Sequence, residues 1–155
     1  MKVTELFKQG QFVVSAEVGP PKGCDVSGLL AEAKEYLKDV DFVNVTDNQS
    51  SVMRLGSLAM CKVLKDAGFD PIFQLTCRDR NRIALQSDLL SAAMLGIENL
   101  LVLTGDHTTL GDNPGAKPVF DLDSVSLLYT AGLLEQGKDL GGNDLVGEFP
   151  KFAKD

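Results

Sequence analysis

Asn99-Leu-Leu-Val-Leu-Thr-Gly-Asp106 is an almost wholly apolar run that stops at a threonine, a glycine and a carboxylate. A run this short and this apolar is what a parallel strand needs when both of its faces are covered. The same pattern occurs three more times: apolar residues, then polar residues, then a stretch with helical spacing. The other tips read Ser15-Ala-Glu17, Asn44-Val-Thr-Asp-Asn48 and Gln74-Leu-Thr-Cys-Arg78. The apolar runs begin near Phe12, Phe42, Pro71 and Asn99, a period of about 27–30 residues, which is about one βαβ step. In parallel α/β folds the chemistry lies just beyond the carboxyl ends of the strands. A row of Glu, Thr, Gln and Asp at those ends therefore marks a candidate active-site rim.

Working outward, the spacing predicts a short helix over 4–8 and a strand from Phe12 to Val18, closed by Gly19-Pro20-Pro21. A helix follows from Val26 to Lys38, with Leu29, Leu30, Ala33 and Leu37 on one face. The second strand is Asp41 to Thr46. A helix from Ser50 or Ser51 to Ala67 is stopped by Gly68. Pro71 to Thr76 is the third strand, Arg82 to Leu95 the third helix of this series, and Asn99 to Thr104 the fourth strand. The stretch from Gly105 to Pro118 has no period, and loops of that length are usually functional or disordered. A last helix is expected from Asp123 to Gln136, capped by Asp121 or Asp123, followed by a glycine-rich remainder to Asp155. The whole, 1–155, reads as a single α/β domain. Right-handed βα units fit either an eightfold barrel or an open doubly wound sheet.

The 155 residues are enough to bury a sizeable core. A net charge of −7 repels phosphate backbones and anionic lipid, which argues against nucleic-acid or membrane binding. No stretch has the length and apolarity of a membrane span, and the opening Met1-Lys-Val-Thr-Glu-Leu-Phe-Lys8 lacks a signal-peptide core. Cys24, Cys61 and Cys77 are odd in number and form no CxxC pair. Neither a disulfide framework nor a metal site is expected, and a reducing cytoplasm is.

Glu17 ends an apolar strand ahead of a rigid turn. A carboxyl group so placed can lose water and act as a general acid near neutral pH, or it can be a solvated rim carboxylate or a cap. In Thr104-Gly105-Asp106 the glycine lets backbone approach a ligand closely; the alternative is a tight turn in which Asp106 bonds nearby backbone. Arg78, Arg80 and Arg82 either hold an anionic group or start a helix and pair with acidic neighbours. His107, the single histidine, is either catalytic or solvated. No GxGxxG or P-loop pattern is present, so a nucleotide-fold reading lacks its fingerprint.

Taken in order, several segments resemble the methylenetetrahydrofolate reductase family, flavoenzymes that reduce methylene-tetrahydrofolate to methyl-tetrahydrofolate. They are Val14-Ser-Ala-Glu-Val-Gly-Pro-Pro21, Val43-Asn-Val-Thr-Asp-Asn48, Phe73-Gln-Leu-Thr-Cys-Arg-Asp-Arg-Asn81, and Asn99 to Asp106 continuing into Leu110-Gly-Asp-Asn-Pro-Gly-Ala-Lys-Pro118 and Asp121-Leu-Asp-Ser-Val125. The likeness covers residues 12–125 and is strongest to the bacterial branch of folate one-carbon pathways. The resemblance implies a (βα)8 barrel, with FAD at the carboxyl ends of its strands and methylenetetrahydrofolate as substrate. NAD(P)H or another electron donor would supply the electrons. Glu17 matches the family's general acid, which protonates the folate nitrogen as the imidazolidine ring opens to an iminium. Asp106 matches the carboxylate beside the flavin's pyrimidine edge. Thr46, Asn48, Gln74, Leu103, Thr104 and Gly105 match flavin-contact positions. Some relatives carry histidine where Gln74 stands and aromatics at Val18 and Gly19, so flavin contacts differ in detail.

The family barrel is roughly twice this length, so about four of eight βα units are expected here, a half-barrel with two unpaired sheet edges. A truncated reductase with little or no activity alone is the leading expectation. The alternative is a non-catalytic half-barrel that pairs with itself, as a homo-oligomer, or with a partner subunit. An unrelated open α/β domain would require a doubly wound strand order.

Overall fold

The structure is a computed structural model that describes residues 1–153; residues 154 and 155, the end of the expected domain 1–155, lie outside the described residues. Four strands, β1 (Ser15–Val18), β2 (Phe42–Val45), β3 (Pro71–Thr76) and β4 (Asn99–Leu103), form one sheet in the order β1-β2-β3-β4. All neighbours are parallel, with Glu17 beside Asn44, Asn44 beside Ile72 and Gln74 beside Leu101. Helix α1 (Val3–Lys8) precedes the sheet, and α2 (Ser27–Tyr36), α3 (Ser57–Asp66), α4 (Arg82–Met94) and α5 (Ser124–Glu135) each follow a strand. Consecutive strands are spatial neighbours throughout, so the order does not reverse as it does in a doubly wound sheet.

Strand side chains alternate between the two faces of the sheet. Val43, Val45, Phe73, Leu75 and Leu100 pack on the helix side against Met60, Cys61 and Leu64 of α3, Leu85, Leu89 and Ala92 of α4, and Leu127, Ala131 and Leu134 of α5. Each buried leucine contributes about 1.5–3 kcal/mol relative to exposure. The opposite, inner face carries Glu17, Asn44, Ile72, Gln74, Leu101 and Leu103. It is only partly covered: Leu101 stays 38% exposed. The amino end of this face is tied to the start of the chain. Val3 N donates to Asn99 Oδ1 (2.9 Å), Asn99 Nδ2 donates to the Met1 carbonyl (2.8 Å), and the Met1 ammonium pairs with Asp70 (2.9 Å) and Glu98 (2.8 Å).

β3 spans the expected residues, and α3 and α4 end two residues before Gly68 and Gly96. Two expectations need correction. β1 begins at Ser15, not Phe12, because its neighbour β2 starts at Phe42; the ladder opens where Asp41 N donates to the Val14 carbonyl (2.8 Å), and Phe12 is left 91% exposed. The helix expected from Ser50 or Ser51 begins only at Ser57. Asn48, Ser50 and Ser51 all have left-handed φ, and the next donors are claimed from outside. Met53 N bonds Asp112 Oδ1 (3.0 Å), Arg54 N bonds Asn48 Oδ1 (2.9 Å) and Leu55 N bonds the Pro21 carbonyl (2.9 Å). Of the two caps expected for α5, Asp123 is the one used, with Ser126 in a reciprocal capping box, and Asp121 binds Arg82. In the glycine-rich remainder, Ala153 makes a parallel bridge to Asn99, at the place a next strand would take beside β4.

Candidate functional site at the strand tips

A cleft of about 390 Å³ opens at the carboxyl ends of the strands, lined by Glu17 from β1, by Thr46, Asp47, Asn48, Gln49 and Ser50 after β2, by Gln74, Thr76 and Arg78 from β3 and its extension, and by Leu103, Gly105 and Asp106 from β4. Seven of the eight residues expected to form the site, Glu17, Thr46, Asn48, Gln74, Leu103, Gly105 and Asp106, therefore meet in one place. The eighth does not. Thr104 turns toward α5, where its hydroxyl accepts from Ser124 N (3.0 Å). Its parity explains this, because Leu100 and Val102 already face the helices.

The floor of the cleft is fixed by charge. Asp47 has no exposed side-chain surface and accepts from Arg80 on both oxygens (2.7 and 3.1 Å) and from Thr76 N (2.9 Å). Burial opposes the Arg80 charge, but the hydrogen bond and charge of Asp47, with Asp88 and Asp79 nearby, raise its pKa further. Asp88 is itself raised, mainly by burial, against the pull of Arg80. Arg82 pairs with Asp121 (2.8 Å), and its hydrogen bonds hold the Asp121 carboxyl down at about 2. Of the two readings left open for the arginine cluster, pairing with acidic neighbours is the one realised. Sequence reasoning left Arg78 out of the site, yet it is 2% exposed and lines the cleft. The signal was available: Ile72, Gln74, Thr76 and Arg78 share one parity.

Two features distinguish the cleft lining. The Thr46 hydroxyl is buried and has no hydrogen-bond partner among the described residues, which native structures rarely tolerate without a ligand or water. Gly105 has φ +95°, and a Cβ there would stand 2.4 Å from Thr76 Cγ2. Only glycine lets the β4 tip pass this close. Glu17 accepts a hydrogen bond from Gln74 Nε2 (3.3 Å) but remains exposed on the inner face. The loss of water expected around it is not supplied by the described residues.

His107 lies outside the cleft lining. Its Nδ1 accepts from Thr109 N (3.3 Å) to cap the turn Thr108–Leu110, and its ring stacks on Phe120 at 6.3 Å. Cys61 and Cys77 are buried free thiols; burial pushes both pKa values up, that of Cys77 to about 11, and Cys24 is exposed. Among the described residues no helix is long and apolar enough to cross a membrane.

A comparison with curated proteins finds no match. The family model described as Methylenetetrahydrofolate reductase matches residues 2–132, most of the chain and every residue of the cleft. The chain belongs to the methylenetetrahydrofolate reductase family.

Proposed function

We propose that the chain supplies the general acid and the flavin-facing rim of a reductase that converts 5,10-methylenetetrahydrofolate to 5-methyltetrahydrofolate, as four of the eight βα units of a barrel, and that it has little or no activity alone. Support comes from the single cleft that gathers Glu17, Thr46, Asn48, Gln74, Leu103, Gly105 and Asp106 around an unpartnered threonine hydroxyl.

The donor set suits FAD. A ring edge that both donates and accepts hydrogen bonds would meet the Thr46 hydroxyl and the Asp106 carboxylate, and glycine at 105 lets the β4 tip close against Thr76 and Arg78 beside them. When bound, FAD supplies the hydride that reduces the one-carbon unit, with NAD(P)H or another electron donor restoring it. Glu17 carries the proton, giving it to the folate nitrogen as the imidazolidine ring opens. Gln74 Nε2 holds one carboxyl oxygen, leaving the other free to face substrate. Asp106 sets a negative charge on the rim that disfavours an anionic partner beside it. The open inner face is the reason for low activity: water reaches Glu17 and competes for the place where substrate must be held.

The assay is turnover of methylenetetrahydrofolate with FAD and NAD(P)H. The isolated chain is expected to show at most a trace rate, abolished by Glu17→Gln. Full turnover by an isolated monomer, or a rate unchanged in Glu17→Gln, would overturn the proposal. A second reading, a non-catalytic half-barrel that pairs with itself or with a partner subunit, draws on the exposed Leu101 of the inner face and the unpaired outer edge of β1. A stable, well-folded monomer in sedimentation would count against it.

A further inference from the structure

Arg78 follows β3 by two residues and is turned into the protein, a position that is costly for a guanidinium unless its donors are met. They are met in a particular way. Nε and Nη2 form a two-pronged pair with the Asp79 carboxylate (both 2.8 Å). Nη2 also donates to the carbonyl of Asn48 (3.1 Å), and Nη1 to the carbonyl of Asp106 (3.1 Å). One cation thus spans the loops after β2 and β4, both of which line the cleft. Main-chain bonds hold its own backbone: Arg78 N donates to the Thr104 carbonyl (3.1 Å), and its carbonyl accepts from Val119 N (2.8 Å). Asp79 is in turn held by Asn48 Nδ2 (3.3 Å), which closes a ring of side chains around the guanidinium.

Both bridged carbonyls sit in backbone that needs holding. Asn48 has φ +45°, followed by Ser50 and Ser51 at +55° and +60°, and Asp106 follows Gly105 at +95°. Such conformations persist only where surroundings over-determine them. In a trans peptide the N–H points opposite to the C=O. Fixing the Asn48 and Asp106 carbonyls on Arg78 therefore turns the N–H groups of Gln49 and His107 away from the guanidinium.

We propose that Arg78 is a positioning residue of the reductase rim, whose guanidinium sets the Asn48 and Asp106 peptides and so fixes the distance and tilt of the β2 and β4 tips around the bound ring system. The proposal rests on the cleft being the flavin site. Lysine cannot replace it: a single ammonium cannot grip Asp79 with two prongs and still reach two carbonyls on opposite loops.

The test compares Arg78→Lys and Arg78→Gln with the unaltered chain by thermal midpoint, segment-resolved amide exchange and FAD titration. In Arg78→Lys the midpoint should stay within a few degrees, exchange over 47–53 and 104–110 should rise about tenfold while α3 and β3 stay protected, and the FAD dissociation constant should rise about tenfold. A role in bulk stability alone would instead lower the midpoint and speed exchange everywhere, and that result overturns the proposal. So does a lysine variant with unchanged rim exchange and FAD affinity. If Arg78→Gln does not fold, Arg78→Lys decides. If the unaltered chain takes up no FAD, the reading of the cleft falls, and the exchange pattern alone decides for or against the role of Arg78.

Discussion

Replacing Gly105 by alanine adds one methyl group at a crowded point of the rim. Two costs follow from its surroundings. The backbone sits at φ +95°, where a side chain costs about 1–2 kcal/mol. The new Cβ would also lie 2.4 Å from Thr76 Cγ2 and 3.2 Å from Arg78 Cβ, an overpacking typically worth about 1–3 kcal/mol. Neither neighbour gives way freely. Thr76 is 1% exposed, with its hydroxyl on the Asp47 carbonyl, and Arg78 is pinned by Asp79. The sum is about 2–5 kcal/mol, or a fall of about 4–20 °C in Tm for a chain of this size. Urea unfolding reads the free energy and a thermal scan reads the shift. Gly115→Ala is the control, since no atom lies within 4 Å of a Cβ there and its φ is not positive; it should stay within about 0.5 kcal/mol. A Gly105→Ala variant as stable as the control would refute the close approach of the β3 and β4 tips.

Asp47→Asn removes the buried charge that pairs with Arg80 and should cost about 3–5 kcal/mol in urea unfolding; a loss below about 1 kcal/mol would contradict a buried ion pair under the cleft. Asp121 has its pKa depressed from 3.8 to about 2 by Arg82. The stability it contributes is present above pH 3.8 and disappears as pH falls through about 2. The Tm difference between the unaltered chain and Asp121→Asn should accordingly shrink across that window, and a constant difference from pH 7 to 2 would count against the pair. Thiol labelling of the native protein should modify Cys24 quickly, while the buried and weakly acidic Cys61 and Cys77 react only after unfolding. Fast reaction at all three would place the core wrongly.

Strand existence and strand tips were legible because they depend on local pattern. Pro71–Thr76 is bounded by a proline and a polar tip, and its limits are those read from the sequence. The site followed from the tips, since parallel strands in consecutive order bring their carboxyl ends together whatever the loops do. What failed depends on distant partners. α3 starts later than its apolar spacing predicts because the amides of Met53, Arg54 and Leu55 bond to Asp112, Asn48 and Pro21. Thr104 matches a flavin-contact position of the family, although the alternation of Leu100 and Val102 places it on the helix side. Arg78 looked like one arginine of three, because its partners, two carbonyls on separate loops, have no sequence signature. The exposure of Glu17 is of the same kind: whether a strand-end carboxylate keeps water depends on what covers the inner face.

Equilibrium titration of the chain with FAD, read by quenching of flavin fluorescence, bears most directly on the cleft as a flavin site, with Thr46→Val and Asp106→Ala run alongside. Thr46→Val keeps the shape and removes the unpartnered hydroxyl; Asp106→Ala removes the rim carboxylate. Saturable binding that weakens about tenfold, or 1.4 kcal/mol, in each variant is the expected result. No saturable binding, or binding indifferent to both substitutions, would contradict the assignment of this cleft.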